Sequence, residues 1–199
     1  MTIQSETFDG DLPGLAEALS SALPAIAPNR LVAFAEEAEP TLIGPFAAYS
    51  ADPRTFVENG EAERGGWRGL VMHAEAPLAV VDVHLGEEAG PSYGFRGSEP
   101  AEALAEALAV AQRYEDGETV NRVRWLTLPE IYVTALWLTG PANLFITTRM
   151  GSAERPPIEV VGAEDFLGRV RALIALTARN DVRPAEETGS VRSGMRARD

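Results

Sequence analysis

The clearest alternation of apolar and polar positions lies between Gly69 and Leu85. Two short segments rich in β-branched and other apolar residues flank the dipeptide Ala76-Pro77 in this region. Period-two alternation on both sides of a turn predicts a β-hairpin with strands at about 67–75 and 78–85. We therefore expect a two-residue turn at Ala76-Pro77, which sets the register of the two strands.

The two faces of this predicted hairpin differ in polarity. With the turn at Ala76-Pro77, His73 lies opposite Val80, and Asp82 and His84 share its face. The other face is apolar and consists of Leu70, Met72, Ala74, Ala79, Val81, Val83 and Leu85. Because the apolar face must pack on the core, the face with His73, Asp82 and His84 is predicted to contact solvent or a partner.

Amphipathic helices are predicted in four segments by the spacing of their apolar residues. The segments are 11–23, 29 to just before Pro40, 98–114 and 163–179. The last segment has acidic residues in its first turn and an arginine near its end, which suits the helix dipole.

Further strands are predicted where β-branched and aromatic residues concentrate, at about 92–96, 120–128, 131–138, 143–149 and 158–161. The segment 131–138 is largely apolar on both faces, so we expect a central strand covered on both sides. Between residues 41 and 66 two elements stay open. Thr41–Tyr49 fits a strand that Pro45 interrupts, and Arg54–Val57 fits either a short helix or a strand.

The order of these elements is α-β-β-(β)-α-β-β-β-α. Consecutive strands joined by short turns favour antiparallel pairing, so we predict an α+β fold, with a mainly antiparallel sheet of about five to seven strands covered by helices. One domain is expected at 11–179, after a mobile N-terminus at 1–10 and before a flexible tail at 180–199. The element order resembles that of roadblock-type dimerisation domains, profilin-like domains and bacterial secretion chaperones.

Composition narrows the available chemistry. The chain has no cysteine and no lysine, which excludes disulfides, thiolate metal sites, a cysteine nucleophile and lysine Schiff bases. No apolar run reaches the length of a membrane span, and the first residues lack the pattern of a signal peptide. We therefore expect a cytoplasmic protein that does not contact a membrane.

The net charge of −13 is concentrated in the first part of the chain. Up to Glu118 there are 21 acidic residues and 6 arginines, whereas from Thr119 onward there are 9 acidic residues and 11 arginines. A field of this sign repels phosphates, so nucleic acid is not an expected partner. The charge suits a basic partner protein, and solubility alone also accounts for it.

The hairpin holds both histidines of the chain, with an aspartate between them in sequence. In the predicted register His73 and His84 are separated by about 13 Å of strand, too far to share a metal ion. Asp82 and His84 are neighbours on one face and fit an acid–base pair, but a partner-contact surface formed by His73, Asp82 and His84 fits the same pattern. We predict no catalytic residue, no metal site and no cofactor.

A second candidate set lies in the later strands. Arg122 and Arg124 share one strand face, where they either bind a carboxylate or phosphate ligand or pair with acidic residues of the chain. Together with Trp137 and His84, they are the predicted lining of any ligand pocket between the sheet and the helices. The aromatic residues of these strands fit core packing better than a pocket: Trp125, Tyr132, Trp137 and Phe145.

Three functions are compatible with these patterns. The first is a non-enzymatic acidic protein-binding module (an adaptor, or a secretion-chaperone-like or immunity-like protein) that acts through a sheet or helix surface and forms a homodimer. The second is an enzyme or small-molecule-binding protein with a pocket between sheet and helices. The third is a structural subunit of a larger assembly, tethered by its C-terminal tail. The first is favoured, since we find no catalytic motif in the sequence.

Overall fold

The computed structural model describes residues 4–5, 8, 12–26, 40–86, 90–114, 122–152 and 156–181, and the structural statements below concern these residues. They form nine strands and four α-helices. In chain order the elements are β1 (Gln4–Ser5), α1 (Leu15–Ile26), β2 (Thr41–Ser50), α2 (Pro53–Asn59), β3 (Glu63–His73), β4 (Ala76–Gly86), β5 (Gly90–Arg96), α3 (Ser98–Arg113), β6 (Arg122–Leu128), a 3-10 helix (Pro129–Ile131), β7 (Val133–Thr139), β8 (Leu144–Met150), β9 (Val160–Gly162) and α4 (Ala163–Asp181).

All nine strands belong to one sheet, in the order β5-β4-β3-β2-β6-β7-β8-β9, with β1 paired to β6. The β2–β6 and β1–β6 pairs are parallel, and the other pairs are antiparallel. The predicted α+β class and the mainly antiparallel sheet are confirmed. The described sheet has more strands than predicted, because Thr41–Ser50 forms a full strand and the short β1 adds to the pairing.

Residues 41–66 contain the elements that the sequence pattern left open. Pro45 follows a cis peptide bond and lies where the register of β2 against β3 shifts, so the strand continues past the proline. The segment after β2 is helical, because Asp52 accepts a hydrogen bond from the Thr55 backbone N–H at 2.8 Å and Pro53 occupies the first turn. Gly60, with φ of 73°, ends this helix.

Helices cover both faces of the sheet. On one face, α3 packs on buried side chains of the central strands, including Leu70, Val80 and Trp125. On the other face, α1 covers the β3–β4 end through Leu19 and Leu23, while α2 and α4 cover the β7–β8–β9 end. The prediction that the segment at 131–138 is covered on both sides is confirmed for β7, since Ala135 and Leu136 point to opposite faces and both are fully buried.

The hairpin between β3 and β4 differs from the predicted one. Its turn lies at Ala74-Glu75, where both residues have positive φ (47° and 64°), and His73 is opposite Ala76. Two positive φ angles form the turn that matches strand twist, and this turn normally shows as Asn-Gly, so Ala-Glu carries no sequence signal for it. The predicted turn at Ala76-Pro77 and its register are therefore wrong.

The corrected register also changes the faces. Leu70 pairs with Val80 and Arg68 with Asp82, so Asp82 shares a face with apolar residues that α3 buries. Alternation along β3 places His73 on the opposite face, with Trp67 and Val71. The predicted single polar face with His73, Asp82 and His84 is wrong, because His73 lies on the face opposite to Asp82 and His84, and core residues pack against both faces.

The elements predicted at 98–114, 120–128, 143–149 and 163–179 are confirmed within a few residues by α3, β6, β8 and α4. The first helix begins at Leu15 rather than Asp11 and continues past Pro24 to Ile26. The predicted helix from Asn29 lies outside the described residues, as do positions 182–199 of the predicted tail and most of the N-terminus. No helix among the described residues combines the length and apolar character needed to cross a membrane.

Candidate functional site

Arg124 and Trp137, both predicted to line a ligand pocket, occupy paired positions on β6 and β7. The Arg124 guanidinium carbon lies 5.4 Å from the centre of the Trp137 ring and 4.9 Å from that of Tyr49 on β2. The Trp137 indole N–H donates to Asn143 Oδ1 at 3.1 Å, and Phe56 of α2 meets the indole edge-on. The Tyr49 and Trp137 rings also contact each other edge to face, with centroids 6.0 Å apart. The half-buried arginine therefore lies against both rings, in cation–π contact with each, and not between them.

The other two predicted pocket residues lie apart from this pair or at its margin. Arg122 is on the same face of β6 as Arg124, but it is exposed at the end of the strand. His84 lies on β4, which is separated from β6 by β3 and β2, and it is on the opposite face of the sheet. The structure therefore groups Arg124 with Trp137 and excludes His84 from that group. Ligand binding by Arg122, Arg124 and Trp137 stays a prediction.

Asp82 is the centre of an ion-pair network that the sequence did not reveal. Its Oδ1 accepts a hydrogen bond from Arg68 Nε, and its Oδ2 accepts one from Arg96 Nε at 3.0 Å. The Arg68 guanidinium also lies 4.7 Å above the Trp125 ring, and Arg68 is only 8% exposed. Burial raises the pKa of Asp82, but the hydrogen bonds and charges of Arg68 and Arg96 outweigh it, so the pKa lies below its ordinary value.

The two histidines lie in different surroundings. His84 is exposed, and its Nδ1 lies 3.2 Å from the Gly65 carbonyl oxygen, whereas His73 is half-buried at the hairpin end. Because both carboxylate oxygens of Asp82 accept hydrogen bonds from arginines, the arrangement does not place Asp82 and His84 as an acid–base pair. Partner contact by His73, Asp82 or His84 stays a prediction; His73 and Asp82 are half-buried, and His84 is exposed.

Sequence reasoning missed an acidic concavity at one end of the sheet. Its volume is about 580 Å³, and four exposed carboxylates from separate elements line it: Asp52, Glu61, Glu63 and Glu130. Since β2 and β6 run parallel, their C-terminal ends lie side by side at the same end of the sheet, which brings residues 50–52 beside residues 129–130. The remaining lining residues are small or uncharged: Ser50, Ala51, Thr55, Ala62 and Pro129.

The charged side chains that line this concavity are all acidic. The backbone hydrogen bond from Thr55 lowers the pKa of Asp52, so this carboxylate stays ionised below the ordinary range of aspartate. The four carboxylates lie among side chains that carry no positive charge in the lining. The charge of the concavity therefore favours a cationic ligand.

Two large apolar side chains, those of Tyr132 and Leu176, are exposed, and neither is among the residues that line the acidic concavity. Tyr132 follows Glu130 closely in the chain, has φ of 53° and is 57% exposed, with the Arg149 guanidinium 5.2 Å from its ring centre. Leu176 of α4 is 54% exposed. A small cleft of about 120 Å³ joins α4 to the 3-10 helix, and it shares Glu130 with the concavity; it is lined by Pro53, Arg54, Glu130, Ile131, Ile174, Thr177 and Ala178.

An apolar groove lies on the other side of the molecule, between α1 and the start of β2. Its volume is about 330 Å³, and its walls include Leu19, Leu23, Leu42 and Val71. It continues the hydrophobic packing of α1 on the sheet and carries no charged side chain in its lining.

Metal-ligating side chains are not grouped in the described part of the chain: no three of its histidine, aspartate or glutamate residues are placed to hold a metal ion. We compared the chain with protein-family models, with curated proteins and with solved structures. None of the three comparisons finds a match.

Proposed function

We propose that this protein is a non-enzymatic protein-binding module that accepts a basic segment of a partner protein in the acidic concavity. The observation that supports the proposal is the convergence of Asp52, Glu61, Glu63 and Glu130 on one concave surface of about 580 Å³. These residues come from three separate parts of the chain, and the fold brings them together at one end of the sheet, where β2 and β6 terminate.

The surroundings of the concavity suit a protein ligand. Interfaces are enriched in aromatic and arginine side chains at their centre, with a polar rim outside. Tyr132, two residues after Glu130 in the chain, is 57% exposed, and the Arg149 guanidinium lies against its ring. A partner segment with arginines matches the charge of the concavity, and an adjacent apolar residue suits the exposed Tyr132 ring.

Neutralising three of the carboxylates is expected to weaken the binding of a basic peptide about tenfold. The variant is Glu61→Gln/Glu63→Gln/Glu130→Gln, and the probe is a dye-labelled peptide of alternating arginine and glycine with three arginines. Each exposed ion pair contributes about 0.2–1 kcal/mol, so three of them together account for about a factor of ten in Kd. Fluorescence anisotropy at low ionic strength measures the two dissociation constants.

The matched control removes the same number of charges elsewhere. Glu17, Glu75 and Glu99 are exposed and lie on α1, on the hairpin turn and on α3. Their replacement by Gln should change the Kd of the peptide less than twofold. Equal weakening in the two triple variants would mean that the peptide responds only to net charge, and the proposal would then fail.

A small-molecule-binding function is the second candidate, and the contact of Arg124 with two aromatic rings supports it. The Arg124 guanidinium lies within 5.4 Å of the ring centres of both Tyr49 and Trp137, and a guanidinium held in this way suits an anionic ligand. Native mass spectrometry of the purified protein should then show a retained ligand, which Arg124→Gln releases. A spectrum with only the mass of the polypeptide would count against this candidate.

Homodimer formation, a cytoplasmic location and a tail-tethered structural role stay predictions. The same native mass spectrum reports the number of subunits.

A further inference from the structure

The side of α4 that points away from the sheet is a continuous exposed surface. The helix packs on α2, the 3-10 helix, β8 and β9 through its other side, where Phe166 and Val170 are fully buried. Seven exposed positions recur at the spacing of one helix side: Asp165, Gly168, Arg169, Ala172, Ala175, Leu176 and Arg179. Because residues three and four apart lie on the same side of a helix, these seven form one surface, which we call the outer stripe.

The outer stripe is apolar in its middle. Leu176 is 54% exposed, and Ala172 and Ala175 beside it are exposed as well. Gly168 lies about two turns before Leu176, and a Cβ atom built on it meets no atom of the described residues within 4 Å. Glycine is unfavourable inside a helix, and no contact in the described part of the chain requires one at this position. The open space over Gly168 is therefore available to a side chain from outside the molecule.

The outer stripe is complementary to itself about Ala172. Asp165 and Arg179 lie seven residues on either side of this alanine, and both are exposed. Gly168 and Leu176 lie four residues on either side of it. An antiparallel second copy of α4, centred on the same alanine, therefore places each Arg179 beside Asp165 of the other copy. It also places each Leu176 over Gly168 of the other copy, where the missing side chain leaves room.

The remaining charges of α4 are compatible with this pairing. Arg169 donates a hydrogen bond to Glu159 of the same chain at 2.8 Å, so its charge is already paired, and its aliphatic stem adds apolar surface to the stripe. Glu164 adds a second carboxylate to the first turn, next to Asp165. The other two charged residues of α4 do not belong to the outer stripe: Arg171 and Asp181. The stripe thus carries opposite charges at its two ends and only the ion-paired Arg169 in its middle.

We propose that the outer stripe of α4 is the contact surface of a homodimer, in which two copies of α4 pack antiparallel about a two-fold axis at Ala172. The inference names a surface for the predicted homodimer and does not rest on the acidic concavity. From Asp165 to Arg179 the stripe is about 21 Å long, at about 1.5 Å per residue. One helix pair of this length is at the low end of interface sizes, so we expect a reversible dimer with a Kd on the order of 10 µM.

Sedimentation velocity of the full chain, from about 1 µM to about 100 µM, tests the dimer and its surface. Leu176→Glu places a charge at the centre of the contact and should raise the Kd of the dimer at least tenfold. The matched control is Leu85→Glu, because Leu85 is 56% exposed and lies on β4, at the other end of the sheet from α4. This control should change the Kd less than twofold. A wild-type chain that stays monomeric, or equal effects of the two variants, overturns the proposal.

Reversal of the end charges tests the antiparallel pairing. Asp165→Arg alone and Arg179→Asp alone each give like charges at both ends of the dimer, so each variant should raise the Kd at least tenfold. An equimolar mixture of the two variants restores an opposite pair at each end, and its Kd should lie within about twofold of the wild-type value. Circular dichroism and the urea midpoint show whether each variant is folded.

The mixture also separates antiparallel from parallel pairing. A parallel pair places each residue beside its own counterpart, so the mixture would then dimerise much more tightly than the wild-type chain does. That result overturns the proposal, as does a mixture of folded variants that stays monomeric. If either charge variant does not fold, Leu176→Glu and its control still decide the surface. The arginine–glycine peptide is absent from these measurements, so a failure of the proposed function leaves their outcome unchanged.

Discussion

Replacement of Phe166 by alanine is expected to lower the free energy of unfolding by about 4 kcal/mol, since truncation of a buried phenylalanine costs about 3–5 kcal/mol. Phe166 of α4 is fully buried, and its ring stacks on Phe145 with centroids 4.1 Å apart and 5° between the planes. Phe56 of α2 meets it edge-on at 6.4 Å. The side chain thus joins two helices to the sheet. Equilibrium unfolding in urea measures the change.

The neighbouring residue on α4 supplies the control. Leu167 is half-buried at the margin of the same hydrophobic cluster, so Leu167→Ala should cost clearly less than Phe166→Ala. Equal losses for the two variants would contradict the packing of α4 on the sheet. Because α2 carries the residues next to Asp52, Phe166→Ala should also weaken peptide binding at the acidic concavity.

Asp82→Asn is expected to lower the free energy of unfolding by about 3 kcal/mol. The substitution keeps the size of the side chain but removes its charge, which leaves the buried Arg68 guanidinium without its carboxylate. Breaking one partner of a buried ion pair typically costs about 3–5 kcal/mol. Arg96→Gln is the control. The Arg96 side chain is 59% exposed, so its loss should cost no more than about 1 kcal/mol. If Asp82→Asn costs as little as Arg96→Gln, the Arg68–Asp82 pair does not stabilise the fold.

The cost of Asp82→Asn should depend on pH in a defined direction. The pKa of Asp82 lies below its ordinary value of 3.8 in the folded chain. The stabilisation from the ionised carboxylate is therefore complete above pH 3.8 and is lost as the pH falls through the folded-state pKa. The difference between wild type and Asp82→Asn should be constant near neutral pH and should shrink below about pH 3.8. A difference that stays constant down to the acid transition would contradict the ion pair as its cause.

The candidate sites differ in how far the sequence predicted them. The sequence predicts Arg124 and Trp137 as members of one pocket, and they do lie together, because both fall on the same face of adjacent strands. The same prediction includes His84, which lies on the other side of the sheet, because alternation within one strand says nothing about which strands become neighbours. The Arg68–Asp82 pair depends on the hairpin register, and an Ala-Glu turn gives no sequence signal for that register.

The sequence by itself determined the fold class, the long helices α3 and α4 and most strands. Each of these elements buries one or both of its faces, and this burial produces a local pattern of apolar residues that can be read from the sequence. Tertiary structure alone decided the register of β3 against β4, the covering of both hairpin faces and the parallel β2–β6 pair. That pair brings Asp52 and Glu130, which are far apart in the chain, to the same end of the sheet. Contacts between distant residues depend on which strands become neighbours, and no local pattern of polar and apolar residues encodes that choice.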